Sequence, residues 1–183
     1  MNFALEAVRG LKACWRLVSM DEDGLDDLDL SSDGFWNSFA AIILVAPLYL
    51  YSSSAGARLA TPPQPERHWF SALALLVLLW VMWPWIMVTV VKFLDRRQHY
   101  VRYIVAYNWS TVYVIAALVP VLLLQQAGII DALIAALLSL CIIGWSLYFR
   151  WYVARVALEV PTLTASMLVV GDLVMSVVVS TIV

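Results

Sequence analysis

The chain has 183 residues, of which 63% are hydrophobic and 13% are charged. A soluble domain of this length could not bury so much apolar surface, so the composition indicates that lipid is its solvent. The formal net charge of −2 excludes the basic excess that nucleic-acid binding requires, so no nucleic-acid partner is expected. The lipid bilayer is therefore the first partner that the sequence implies.

Residues 1–20 combine helical periodicity with scattered basic side chains. Apolar residues recur at helical spacing at Ala4, Val8, Leu11, Trp15 and Val18. This pattern predicts a short amphipathic helix that lies in the headgroup plane of a membrane. The alternative is a cytosolic helix that packs on the loops of the protein itself.

Residues 21–33 form an acidic segment punctuated by leucines. Its proposed docking strip consists of Asp21, Glu22, Asp23, Asp26, Asp27 and Asp29, and Asp33 follows. A run of acids is ordinarily a solvated, flexible linker. The alternative is a docking strip for a basic partner, or for the basic loop at residues 92–102. The spacing of the acids does not match a calcium-binding loop.

Five apolar runs follow, at residues 35–53, 69–91, 103–124, 129–149 and 162–183. A helix needs about 20 apolar residues to cross the hydrocarbon of a bilayer, and these runs meet or approach that length. The predicted fold is therefore all-α, a polytopic membrane bundle of five transmembrane helices with an amphipathic helix before it. Residues 1–34 form the predicted cytoplasmic part, and residues 35–183 form the transmembrane domain.

The loop between the second and third runs sets the predicted orientation. Its basic residues are Lys92, Arg96, Arg97 and Arg102. Basic loops stay in the cytoplasm, and with this loop inside only Arg58 and Arg67 fall outside. We therefore expect the N-terminus in the cytoplasm and the C-terminus outside. Nine of the eleven basic residues are arginine, which favours a bacterial source, so the expected location is a bacterial cytoplasmic (inner) membrane.

The second run carries three tryptophans, Trp80, Trp83 and Trp85, around Pro84. The proline removes one backbone donor and favours a kink. Tryptophan prefers the membrane interface, so Trp80 near mid-depth needs a reason. The sequence allows either aromatic packing around the kink or a pocket for a lipid tail or a quinone-like ring.

Asp172 is the ionisable residue nearest the middle of any predicted span. Ten residues from Thr162 place it about 15 Å deep, where a charge is costly and should face protein or water. We predict an intramembrane polar cluster of Asp172, Tyr113, Ser139 and Ser176. It is either polar contact between packed helices, a proton or cation site, or an oligomer contact.

Motifs for catalysis or for a cofactor are absent from the sequence. His68 and His99 fall on opposite sides of the predicted membrane, and the two cysteines lack metal-ligand spacing. The sequence contains no nucleophile elbow, phosphate loop or zinc-protease motif. We therefore expect no enzymatic activity, no cofactor and no metal.

Two runs resemble the Yip1 family of five-span membrane proteins. Residues 103–120, YIVAYNWSTVYVIAALVP, are similar to the third span of that family, and residues 155–165, RVALEVPTLTA, are similar to the start of its last span. The chain has Ala106–Tyr107 where eukaryotic members have Gly-Tyr, so the resemblance does not extend to a Rab-GTPase partner. The resemblance implies a non-enzymatic role in organising membranes or membrane-protein assemblies.

These observations lead to two hypotheses from different classes. The first is a scaffold or interaction partner that binds another protein, or further copies of itself, in the membrane. The second is a small transporter or channel subunit that uses Asp172 for proton or cation coupling.

Overall fold

The computed structural model describes residues 3–60, 62–65 and 68–182, and within these ranges the chain forms helices and no strand. The helices are α1 (Phe3–Val18), α2 (Ser32–Ser38), α3 (Ile42–Leu59), α4 (Trp69–Phe93), α5 (Tyr100–Gln126), α6 (Ala132–Leu158) and α7 (Thr162–Ile182). Five helical stretches are long and apolar enough to cross a membrane: α2 with α3, and α4 to α7. The predicted all-α membrane bundle is therefore confirmed.

Two predicted helix ends were wrong. Helix α3 continues six residues beyond its predicted end at Ser53, to Leu59, and α6 continues nine residues beyond its predicted end at Phe149. No glycine or proline interrupts the chain between Gly144 and Pro161, so nothing ends the helix earlier. The helix ends where Glu159 adopts a left-handed backbone conformation, with φ of 53°.

Helix α5 is the centre of the bundle, since it packs against α1, α2, α3, α4 and α6. Its buried residues are concentrated between Tyr103 and Thr111, towards the end that carries the loop at residues 92–102. Helix α7 completes the bundle by packing on α6 and α4. The tightest core therefore lies in the half of the bundle near that loop, which we call the basic end.

Helix α1 packs on α5 through small residues. Ala13 and Cys14 are fully buried, and Gly10 lies so close to Trp109 that a Cβ atom would approach the indole ring to 2.6 Å. The Tyr113 hydroxyl donates a hydrogen bond to a backbone carbonyl of α1 at 2.8 Å. Thus α1 contacts a membrane helix of its own chain and does not pack only on loops.

The opposite face of α1 stays apolar and uncovered. Leu5, Val8 and Trp15 are all exposed, and Lys12 lies among them. An exposed apolar stripe with a basic residue is typical of a helix that contacts the membrane surface. The amphipathic helix is therefore present, and it presents one face to the bundle and one to its surroundings.

The acidic segment is folded, so its interpretation as a flexible linker was wrong. A 3₁₀ turn at Glu22–Leu25 follows α1, and the side chains of Leu25 and Leu28 are buried. The Asp21 carboxylate caps this turn by accepting from the backbone N–H of Asp23. Residues that looked like interruptions of a charge run are the apolar anchors of the segment.

Candidate functional site

Asp172 meets two polar partners inside the bundle. The Tyr107 hydroxyl lies 3.1 Å from Oδ1 and 3.2 Å from Oδ2 of Asp172, and Arg150 donates from Nη1 to Oδ2 at 3.0 Å. The side chains of Asp172 and Arg150 are only 11% and 19% exposed. This cluster joins α5, α6 and α7, and we call it the polar latch.

The helical hairpin of α6 and α7 brings the ion pair together. Arg150 precedes Pro161 by eleven residues (161 − 150), and Asp172 follows it by eleven (172 − 161). At ~1.5 Å per residue both lie about 16 Å from the turn. Residues equidistant from the turn of an antiparallel hairpin lie side by side, so the geometry of the turn sets the pair.

The prediction that Asp172 points into the bundle is confirmed, but its predicted donors were wrong. Tyr113 donates to the Leu11 carbonyl instead. Ser139 lines a separate cavity of about 610 Å³ towards the other end of the bundle. Ser176 does lie near Asp172, one helical turn further along α7. Both residues line a different, smaller cavity of about 180 Å³.

Sequence reasoning missed Arg150 and Tyr107. The predicted fourth span ends at Phe149, immediately before Arg150, and therefore leaves Arg150 outside the membrane-spanning helices. The uninterrupted helical sequence up to Pro161, and the equal distances from that proline, are the signals that could have identified it. The predicted third span begins at Tyr103, whereas α5 begins at Tyr100, so Tyr107 lies about 4.5 Å further along its helix than the prediction places it.

The chemistry of the polar latch follows from its burial. The Arg150 guanidinium also stacks on the Tyr107 ring, 4.8 Å from its centroid. Two paired charges with additional hydrogen bonds are tolerated inside a membrane, whereas one alone is costly. Because Arg150 already compensates the charge of Asp172, the arrangement disfavours a bound cation. It favours a structural role in which the cluster holds α5, α6 and α7 together.

A cavity of about 180 Å³ adjoins the polar latch. Besides the latch residues it is lined by Val45, Tyr49, Leu76, Leu79, Trp80, Thr111, Ile115, Met175 and Ser176. Together with the latch residues they come from all five membrane-crossing helices, with α6 contributing Arg150. The polar latch therefore borders a space at the centre of the bundle.

The three tryptophans of α4 have different environments. Trp83 is buried and donates from Nε1 to the Tyr103 hydroxyl at 2.9 Å, as expected for aromatic packing. Trp85 is 76% exposed. Trp80 is 6% exposed and lines the cavity, and its indole N–H has no hydrogen-bond partner among the described residues. Packing with Tyr103 therefore accounts for Trp83 and leaves Trp80 unexplained.

The basic loop closes the end of α6. Arg102 donates to the Ala157 carbonyl at 2.9 Å and forms an ion pair with Glu159 at 2.6 Å. Arg96 donates to the Glu159 carbonyl at 3.3 Å, while Lys92 and Arg97 are exposed. The last carbonyls of a helix lack partners within it, and arginine is suited to satisfying them. The Arg102 hydrogen bond also lowers the pKa of Glu159.

The acidic segment forms its described ion pairs with α1. Arg16 contacts Asp21 at 2.7 Å, Asp27 at 2.8 Å and Asp23 at 3.5 Å. The hydrogen bonds from Asp27 and Asp21 raise the pKa of Arg16. The hypothesis that this segment docks on the basic loop was therefore wrong, because Arg16 and Glu159 supply the counter-charges locally.

The other acids of the strip have different surroundings. Asp29 accepts a hydrogen bond from the Ser31 backbone N–H at 2.9 Å, and its bonds to Ser31 lower its pKa. Glu22 and Asp26 are exposed. Among the described residues no group of three or more histidine, cysteine, aspartate or glutamate side chains is placed to hold a metal ion.

Comparisons with known proteins add no family to this description. No protein-family model matches the chain, and searches of curated proteins and of solved structures found no match.

Proposed function

We propose that this chain is a non-enzymatic integral membrane protein that acts as an interaction partner in membrane-protein assembly. The observation that carries the proposal is the folded acidic segment, which is anchored on α1 with carboxylates directed outward. A segment that served only as a soluble linker would gain nothing from this anchoring. The proposal agrees with the role that the resemblance to Yip1 proteins implies.

The acidic segment is fixed from three directions. Leu25 and Leu28 are buried beneath it, and Arg16 holds carboxylates on two of its turns. Gly24 packs so tightly on α1 that a Cβ atom would lie 2.5 Å from the Ala13 carbonyl oxygen. A surface fixed before binding loses less conformational entropy when a partner arrives.

The charge of this surface indicates the chemistry of the partner. One guanidinium, Arg16, faces three carboxylates, and Glu22 and Asp26 add further exposed negative charge. Complementary charge steers association and selects partners. We therefore infer that the partner presents a basic segment next to the membrane.

Exposed aromatic side chains flank the acids. Trp15 precedes the acids in the sequence and is 59% exposed, and Trp36 follows them and is 70% exposed. Large aromatic residues surrounded by polar groups are enriched at the centres of protein interfaces. A basic helix with apolar residues on the same face would match both the charge and these anchors.

We expect charge removal at Glu22, Asp26 and Asp33 to abolish partner binding without unfolding the chain. The triple variant is Glu22→Gln, Asp26→Asn and Asp33→Asn, and these acids lie outside the Arg16 ion pairs. The control is Glu22→Asp, Asp26→Glu and Asp33→Glu, which keeps the charge. Zero-length carbodiimide cross-linking in native membranes, with mass spectrometry, identifies the lysines that the carboxylates touch.

The supporting result is a cross-link from Glu22 or Asp26 to a lysine-rich segment of another protein, retained in the control. Because the triple variant lacks the carboxylates that the cross-linker needs, its loss of binding is measured by the loss of that protein from mild-detergent co-purification. A cross-link to Lys92 of a second copy would assign the surface to a homo-oligomer. A monomer with only intrachain cross-links at native expression would contradict the proposed interaction role.

We also propose that the basic end faces the cytoplasm of a bacterial inner membrane, because the basic residues concentrate there. Gln98 and Gln64 lie at opposite ends and are both exposed. Single cysteines at these positions, in a background with Cys14→Ala and Cys141→Ser, should differ in their reaction with a membrane-impermeant maleimide. In intact cells we expect labelling at position 64 only, and the reverse pattern would overturn the orientation.

A further inference from the structure

The cavity beside the polar latch has room for the head of a small molecule and the chemistry of a binding site. Its volume of about 180 Å³ is roughly ten times the ~10–15 Å³ that a single water requires. Its walls combine aliphatic side chains with the indole of Trp80 and the guanidinium of Arg150. Mostly apolar cavities with a few polar groups are typical of small-molecule sites.

The polar groups in this cavity include the hydroxyls of Tyr49, Thr111 and Ser176, which can donate and accept, and the side chains of Trp80 and Arg150, which can only donate. Trp80 can only donate through its indole N–H, which has no partner among the described residues. Arg150 carries five N–H donors, and both oxygens of Asp172 are already hydrogen-bonded. Thr111 directs its hydroxyl to the Tyr107 carbonyl at 2.8 Å. Because Trp80 and Arg150 can only donate, an acceptor oxygen is the ligand group that complements them.

The charges in the cavity restrict the ligand further. Arg150 and Asp172 neutralise one another at 3.0 Å. Because the pair is neutral overall, an anion or a cation would add an uncompensated charge in a low-dielectric site. An uncharged molecule with a carbonyl oxygen meets both conditions.

A series of cavities provides space for an apolar tail. Arg150 and Ile115 also line a second cavity of about 200 Å³, whose other walls are mainly aliphatic. Ser52, Leu118 and Ile143 join that second cavity to the one of about 610 Å³ that reaches Gln125. An aliphatic chain could therefore extend between α3, α5 and α6 from the polar latch towards the far end of the bundle.

We propose that the central cavity binds an uncharged, lipid-soluble molecule with a carbonyl-bearing head and an aliphatic tail. The head carbonyl accepts hydrogen bonds from Trp80 and Arg150, and the tail follows the cavities along α5. An isoprenoid-type quinone and a diacylglycerol share this chemistry. The cavity shares no residue with the acidic surface, so a test of ligand binding and a test of the proposed assembly role can fail independently of one another.

Equilibrium dialysis of the full chain in maltoside micelles tests the proposal, because this detergent contains no carbonyl group. The probes are a decyl-substituted benzoquinone and dioctanoylglycerol, with decylbenzene as the carbonyl-free reference. We expect wild type to bind one carbonyl probe saturably, with one site per chain and at least about fivefold more tightly than decylbenzene. That factor corresponds to one hydrogen bond of ~1 kcal/mol.

Two variants locate the site. Trp80→Phe removes the unpartnered donor and should weaken binding about fivefold, whereas Trp85→Phe, on the exposed face of the same helix, should leave binding unchanged. Ser176→Leu should fill the cavity from α7 and block both probes, with the polar latch intact. Equal binding of decylbenzene and the carbonyl probes by wild type, or equal binding by the Trp80 variant, would overturn the proposal. The comparison of the carbonyl probes with decylbenzene in the wild type tests the proposal even if a variant fails to fold.

Discussion

Replacing Asp172 with leucine is expected to lower the free energy of unfolding by about 3–5 kcal/mol. The variant leaves the Arg150 guanidinium buried between α5, α6 and α7 without its counter-charge at 3.0 Å. If Asp172 made only a simple hydrogen bond between membrane helices, the loss would be about 0.6–2 kcal/mol. Reversible unfolding in mixed micelles, followed by helical circular dichroism, separates these two ranges.

The double variant Arg150→Met with Asp172→Leu is the matched control. Removing both charges leaves aliphatic side chains of similar length in an apolar site, and such replacements are often neutral or stabilising. We therefore expect the double variant to be more stable than Asp172→Leu alone. The contrary result is that each single substitution lowers the free energy of unfolding by less than about 1 kcal/mol and that the two effects add in the double variant. In that case the two side chains do not interact, and the polar latch is refuted.

For Asp172 the sequence predicted the inward orientation of the side chain correctly but did not identify its hydrogen-bond partners. A charge in the middle of an apolar run is costly wherever the helix lies, so its inward orientation follows from solvation alone. Its partner depends on the exact ends of α5 and α6. An error of three residues shifts a helix by about 4.5 Å, which is enough to exchange Tyr107 for another tyrosine of the same helix.

Helix α1 shows a second limit. Its apolar periodicity predicts a face for the membrane surface, and Val8 and Trp15 on that face are exposed, whereas the small residues Ala13 and Cys14 outside the predicted stripe are buried. In lipid, large apolar side chains gain little by leaving their surroundings, whereas small residues allow helices to approach closely. Hydrophobic periodicity therefore detects that α1 is amphipathic but does not identify the face that meets α5.

The acidic segment was mispredicted for a related reason. Composition averages over residues 21–33 and gives the properties of a solvated chain. The order of the segment comes from particular contacts, namely the burial of Leu25 and the triple ion pair of Arg16. Such contacts join α1 to residues several positions away, and only the folded arrangement brings them together.

Gly10→Leu is expected to displace α1 from α5. The new side chain would start 2.6 Å from the indole of Trp109, which is 2% exposed and therefore enclosed by neighbours. Overpacking of this kind costs about 1–3 kcal/mol, and α1 can relieve it by moving away because its other face is exposed. The N-terminal unit would then lose its contact with the bundle.

Cys14 reports this displacement, since it lies one helical turn after Gly10 and is fully buried. Burial raises the pKa of its thiol, so in the wild type both low access and a scarcity of thiolate slow its reaction with maleimide. Once α1 is displaced, the pKa should fall towards the ordinary value of about 8.5. In a Cys141→Ser background at pH 8, we expect Cys14 of Gly10→Leu to be labelled roughly tenfold faster or more.

Val8→Leu is the control for this measurement, because it enlarges an exposed apolar side chain of the same helix. It should leave the labelling rate of Cys14 at the wild-type value. Equal rates for Gly10→Leu and Val8→Leu would mean that α1 tolerates the bulk without moving, and the close packing of Gly10 on Trp109 would be wrong. A rise in both variants would mean instead that α1 is held weakly, so that the acidic surface it carries would not be fixed in place.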